Sequence, residues 1–166
     1  EQHKQGALRS VAEGRAIGAF ALTEAHCGSD ASAMRCRAER TADGQWRITG
    51  AKSWITSGPV ADWVILFAVT DPAAGSRGIS AFLIDTTRAG FGRGKKEPKM
   101  GVRASATCEI VFQDYLAQAQ DLIGSEGQGF KLAMSLLDGG RIGIAAQAVG
   151  IARAAYQASV AYAQQR

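Results

Sequence analysis

An α+β fold, in which an antiparallel β-barrel or sandwich is flanked by helical segments, is what this 166-residue sequence predicts. Three observations lead there. Runs rich in β-branched and aromatic residues recur at short spacing through the middle of the chain. They are joined by turn-forming residues with no helical stretch between them. Apolar residues at helical spacing occupy the two ends, so the helices are segregated from the strands.

Taken in order, residues 3–13 place Ala7, Leu8, Val11 and Ala12 at helical spacing, and Gly14 is a natural stop. Residues 1–15 are therefore read as the end of a helical domain. Residues 16–124 form the β domain. Ile17–Thr23 is a short apolar run suited to a strand buried on both faces. Arg35–Arg40 and Trp46–Thr49 flank Thr41-Ala42-Asp43-Gly44, a hairpin signal. Lys52–Thr56, Trp63–Val69 and Ile79–Asp85 follow as strands, with Asp71-Pro72-Ala73-Ala74-Gly75 turning the chain. Gly90–Arg103 reads as a Gly- and Lys-rich connection, and Thr107–Phe112 alternates as a further strand. After Gly124 the period switches. Gly127–Asp138 and the stretch from Arg141 onward are two helical patterns, the second apolar nearly all round as far as Ala155. Residues 125–166 are thus the start of an incomplete helical domain. The chain begins without Met and stops inside this pattern, so it is expected to be an excerpt of a longer polypeptide.

Composition narrows the function classes. The chain is 46% hydrophobic and 20% charged, which suits a globular domain. No apolar run is long enough to span a bilayer, and the polar start is not a signal peptide. Net charge is +4, with the tightest basic cluster at Arg93, Lys95, Lys96, Lys99 and Arg103. Aromatics do not interleave with it, so no nucleic-acid platform is expected. Cys27, Cys36 and Cys108 are widely spaced and form no CxxC, which fits free thiols in a reducing compartment. With only His3 and His26, no zinc-type set is expected.

Common catalytic signatures such as GxSxG, HExxH and Walker A are absent. Two polar-tipped segments remain, Phe20–Asp30 (FALTEAHCGSD) and Lys52–Gly58 (KSWITSG). In the first, Gly28 would let the main chain approach a pyrophosphate, with amides near Ser29 as donors. It reads equally as a polar loop. In the second, Trp54 is either core or a partner for a flat ring, beside which the Thr56 hydroxyl could donate. Asp138-Gly139-Gly140-Arg141 either orients a polar ligand or forms an i,i+3 ion pair worth a few tenths of a kcal/mol.

In register, FALTEAHCGSD, KSWITSG, KMGVRAS (Lys99–Ser105) and Glu126–Ala152 resemble the acyl-CoA dehydrogenases over nearly the whole chain. The segment after Leu137 is most similar to the short-chain and branched-chain members. The resemblance implies the middle β domain and the start of the C-terminal helical domain of a flavoenzyme. That enzyme oxidises acyl-CoA thioesters to trans-2-enoyl-CoA, as in fatty acid β-oxidation, by α-proton abstraction and β-hydride transfer to FAD. Phe20, Leu22, Thr23, Gly28 and Ser29 match its first FAD motif, and Trp54, Ile55 and Thr56 its second. Ser29, Ser76, Asp138, Gly139, Gly140 and Arg141 match acyl-CoA contacts. An electron-transfer flavoprotein or similar acceptor, a homotetramer, and bacterial cytoplasm or mitochondrial matrix follow from the same comparison. An acyl-CoA oxidase or a two-component flavin monooxygenase on this scaffold is the neighbouring alternative, and a non-catalytic β-barrel binding module the distant one.

Two departures stand out. The family's first motif continues Thr-Glu-Pro-Gly-x-Gly-Ser, but Ala25, His26 and Cys27 follow Glu24 here. A His in place of Gly would be strained if the backbone were left-handed there, which would weaken FAD binding. Isovaleryl and long-chain members carry the catalytic Glu just before the Arg, where this chain has Gly140. The resemblance therefore implies no catalytic residue in this chain, and an isolated chain that is inactive.

Overall fold

The computed structural model describes residues 2–166. They form two compact units, one running to Phe130 and the other from Lys131 to Arg166. Helix α1 (Gln2–Ala12) opens the first unit and ends at Gly14, whose φ of 72° lets the chain turn where an L side chain would resist. Eight strands follow: β1 (Gly18–Ala21), β2 (Arg37–Arg40), β3 (Trp46–Thr56), β4 (Trp63–Val69), β5 (Ile79–Asp85), β6 (Phe91–Lys96), β7 (Thr107–Ala117) and β8 (Leu122–Ile123). The α+β class is as expected, and the order β6-β7-β3-β2-β4-β5-β8, with β1 paired to β4, is a sheet that does not close on itself. Most pairs are antiparallel, but β1 and β2 both join β4 in parallel.

The core lies between the β3–β7 and β4–β5 parts of this sheet. Ile48, Cys108, Ile110 and Phe112 from the first meet Val64, Leu66, Phe82 and Ile84 from the second. Trp46 touches Phe82 edge-on, with ring centroids 5.6 Å apart. Tyr115 is fully buried, and its hydroxyl donates to the Asp85 carbonyl and accepts from the Asp85 amide, both at 3.1 Å. Burial pushes this phenol up to about 12, so it stays neutral and bonded.

Three elements depart from the sequence reading. The residues read as two strands, Trp46–Thr49 and Lys52–Thr56, are one strand, β3, continued through Gly50. Gly50 has φ 145°, and a Cβ there would sit 2.8 Å from the Cys36 backbone, so only Gly lets the strand pass. The expected connection at Gly90–Arg103 contains β6. Its Gly and Lys residues have little β propensity, but pairing with β7 and the Phe91–Phe112 ring contact hold it. Finally, α2 (Gly129–Gln165) is one continuous helix through Gly139 and Gly140 rather than two. Residues of α2 from Arg141 onward are exposed on every side.

Candidate functional site

The site begins with the parity of β3. Trp46, Ile48 and Lys52 are buried at even positions, so strict alternation would turn Trp54 into the core as well. A bulge intervenes between Lys52 and Ile55. The extra residue shifts the pattern by one, so that Ile55 is buried at 2% exposure and Trp54 is turned out at 61%. The outward turn has a cost. Trp54 sits at φ 61° and Ser57 at φ 63°, left-handed positions that a non-Gly residue adopts at about 1–2 kcal/mol. Strained backbone positions of this kind cluster at binding and active sites, although Val102 and Asp114 also have positive φ. Thr56 is exposed beyond it, and among the described residues its hydroxyl makes no hydrogen bond.

The two polar-tipped segments are tied together. The Ser53 amide donates to the Thr23 carbonyl at 2.9 Å. Beneath that bond, Lys52 is completely buried, and its ammonium donates to the Leu22 carbonyl (3.0 Å) and to Oε1 of Glu24 (2.7 Å). Glu24, 5% exposed, also accepts from the amides of Arg35 (2.7 Å) and Cys36 (3.0 Å). Burial alone would push the Glu24 carboxyl up. The Lys52 hydrogen bond and charge, with the two amides, outweigh it and hold the group below its ordinary 4.5. The sequence reading quoted both residues inside motifs but gave them no role. The one signal was a Lys in an inward strand position, which demands an anionic partner.

Of the sequence-derived residues, Phe20 and Thr56 come together. They line one groove of about 610 Å³ with Ser57, Trp63, Ile65 and Leu83. Gly28 and Ser29 are exposed at the end of the first segment, and Thr23 is half-buried close to Gly28. The side chains of Leu22 and Ile55 are buried in the sheet, which limits them to backbone contacts with any ligand. Ser76 is half-buried in the turn Pro72–Gly78 between β4 and β5 and does not line the groove. Asp138–Arg141 lie within α2, where Arg141 pairs with Asp138 at 2.8 Å on the exposed surface. Among the described residues, none beyond the neighbouring backbone of α2 lies within 4 Å of a Cβ built on Gly139 or Gly140.

The strain expected at His26 is absent, because no residue from 25 to 27 has a positive φ. Instead Ala25 and His26 form the tip of a tight turn, closed by Glu24 N–H to Cys27 carbonyl and the reverse, both 3.1 Å. His26 Nε2 lies 3.1 Å from the Ala33 carbonyl. The donor set therefore fits a flavin dinucleotide: an outward indole, a free hydroxyl beside it, and exposed Gly28–Ser29 main chain on a rigid base. The basic cluster, by contrast, is partly spent internally. Arg93 donates to the carbonyls of Gly58 and Ala61 and to Thr86, and Lys99 to the Ser105 carbonyl.

Comparison with known proteins agrees. Residues 19–115 match the family model described as acyl-CoA dehydrogenase, middle domain, and residues 127–166 that described as its C-terminal domain. The chain is 48% identical over 166 residues to the short-chain specific acyl-CoA dehydrogenase of Megasphaera elsdenii, covering all of this chain and 43% of that protein. It is 45% identical to the mitochondrial short-chain specific acyl-CoA dehydrogenase of Bos taurus, covering all of this chain and 40% of that one. The butyryl-CoA dehydrogenase structure from Megasphaera elsdenii superposes with a TM-score of 0.91 at 49% identity, over 95% of this chain and 41% of that chain. The chain thus spans less than half the length of these relatives. By these matches, it belongs to the acyl-CoA dehydrogenase family.

Proposed function

We propose that the full protein carrying this chain is an FAD-dependent acyl-CoA dehydrogenase that converts short acyl-CoA thioesters to trans-2-enoyl-CoA. The observation that carries the proposal is the β3 bulge, which spends backbone strain to hold Trp54 outward beside the free Thr56 hydroxyl. When bound, FAD accepts the β-hydrogen of the thioester as hydride. The chain's own residues hold and orient. Trp54 offers a face for the ring system, and the Thr56 hydroxyl a donor at its edge. Thr23, Gly28 and Ser29 offer polar contacts toward the pyrophosphate, with Phe20 and the backbone of Leu22 and Ile55 beneath. Ser29, Ser76 and the Asp138–Arg141 segment are assigned to the acyl-CoA. Short acyl chains are favoured by the short-chain relatives at 45–48% identity.

We assign the base that removes the α-proton to a position outside residues 1–166, a reading that rests on the family resemblance and on Gly140 standing where some members carry the Glu. Proton and hydride must leave a thioester held in line with both groups, so neither half suffices alone. An electron-transfer flavoprotein or similar acceptor, a homotetramer, and a bacterial cytoplasmic or mitochondrial matrix location belong to the same reading. The relatives are bacterial and mitochondrial proteins, and among the described residues no helix is long and apolar enough to cross a membrane.

Purified residues 1–166 are expected to show no oxidation of butyryl-CoA with an artificial electron acceptor, whereas the full protein turns it over. Activity in the isolated chain would place the base within it and overturn that assignment.

A further inference from the structure

The Glu24–Cys27 turn gathers three different kinds of metal-ligating side chain. A Glu24 carboxylate oxygen, a ring nitrogen of His26 and the Cys27 sulfur all lie within 4.8 Å of one another. Glu24 and Cys27 are 5% and 4% exposed, while the His26 side chain is 36% exposed, so the cluster opens to solvent on the imidazole side. The two oxygens of Glu24 are not equivalent. Oε1 accepts from Lys52 and from the Cys36 amide. Oε2 carries one bond, from the Arg35 amide, and keeps a second lone pair. That oxygen stands 3.8 Å from Nε2 of His26, too far for a hydrogen bond.

The spacing suits an ion. Around a tetrahedral zinc, with Zn–S about 2.3 Å and Zn–N and Zn–O about 2.0–2.2 Å, neighbouring ligand atoms lie roughly 3.3–3.7 Å apart. Closing a cluster whose atoms lie within 4.8 Å asks for no more than about 1.5 Å of approach between any two of them. Nε2 of His26 is the ring nitrogen placed 3.8 Å from Oε2 of Glu24, and it also lies 3.1 Å from the Ala33 carbonyl, so an ion taken there replaces that carbonyl contact.

We propose that the Glu24–Cys27 turn binds one thiophilic divalent cation of the zinc type, through the Cys27 thiolate, one ring nitrogen of His26 and a Glu24 carboxylate oxygen. Thiolate with imidazole selects such an ion over magnesium or calcium, and a water completes the fourth position. On binding, the S–H bond of Cys27 breaks, a sulfur–metal bond forms, and the proton leaves to solvent without any redox change. A thiol must give up its proton to ligate, so binding releases about one proton per ion.

Zinc titration of the full protein by calorimetry, in two buffers of different ionisation enthalpy, tests this. The expected result is one site releasing about one proton. Zinc-edge X-ray absorption should then show one sulfur at about 2.3 Å with nitrogen and oxygen at about 2.0 Å. Cys27→Ser should remove the sulfur shell and the proton release. His26→Ala, a change on the exposed tip, should weaken zinc by at least about tenfold. Metal-free melting of both variants confirms that they are folded. No saturable zinc binding, a sulfur shell that survives Cys27→Ser, or an unchanged affinity in His26→Ala would overturn the proposal.

Discussion

Lys52→Met is expected to lower the unfolding free energy by about 3–5 kcal/mol, the usual result of removing one partner from a buried ion pair. The reason is what remains. Glu24, 5% exposed, would keep its charge inside the sheet with two amides and no counter-ion. Glu24→Gln should also destabilise, because it leaves the Lys52 ammonium, completely buried, with the Leu22 carbonyl and the Met34 sulfur (3.7 Å). The double variant should lose less than the two single losses added together, by about 0.5–3 kcal/mol, since the residues act as one unit. The same pair predicts an acid profile. Glu24 is held below its ordinary 4.5 in the folded state. Its contribution is therefore present above that value and is lost as the pH falls through the lower folded one. Wild type should weaken over that window, and Lys52→Met should have lost this contribution at every pH. Urea midpoints at pH 7 and pH 4 measure both effects. A loss below about 1 kcal/mol in either single variant would mean that the pair is not what joins the two segments.

Trp54→Gly should have the unusual effect of raising the melting temperature while weakening flavin binding. Glycine relieves the left-handed strain at φ 61°, about 1–2 kcal/mol. The indole, 61% exposed, gives up little packing when it is removed. For a unit of this size that gain corresponds to a rise of roughly 4–8 °C per kcal/mol at most. The flavin would lose a stacked aromatic face, worth about 0.5–1.5 kcal/mol beyond its area, so its dissociation constant should rise by roughly tenfold. Thr56→Val separates the two causes. It leaves the backbone alone and removes one donor, a loss of about 0.5–1.5 kcal/mol in flavin affinity with no gain in stability. If Trp54→Gly bound flavin as tightly as wild type, the bulge would be a feature of sheet curvature and nothing more.

How much of this was legible depends on what each residue needs from distant parts of the chain. Trp63–Val69 and Ile79–Asp85 were read to the residue, because β-branched and aromatic side chains buried in a sheet state their role locally. Phe91–Lys96 was not, since its Gly and Lys residues become a strand only when β7 lies beside them. The helix through Gly139-Gly140 was divided for a similar reason. Two glycines cost about 1 kcal/mol each against Ala, and local propensity cannot weigh that against a 37-residue helix. At the site, pattern and family resemblance single out the two motif segments, but not the directions of their side chains. Alternation alone buries Trp54, and only the bulge turns it out. Lys52 and Glu24 are 28 positions apart, and no local signal pairs them. The condition for strain at His26 is not met, because this turn closes without a positive φ, which a missing Gly alone does not reveal.

The absorption spectrum of the full protein, recorded before and after addition of butyryl-CoA under anaerobic conditions, is the most direct test of the account. An oxidised flavin band that bleaches on mixing is the predicted result, with Trp54→Gly retaining less of that flavin through purification. A protein that neither retains nor takes up flavin, or whose flavin band is unmoved by any short acyl-CoA, would contradict it.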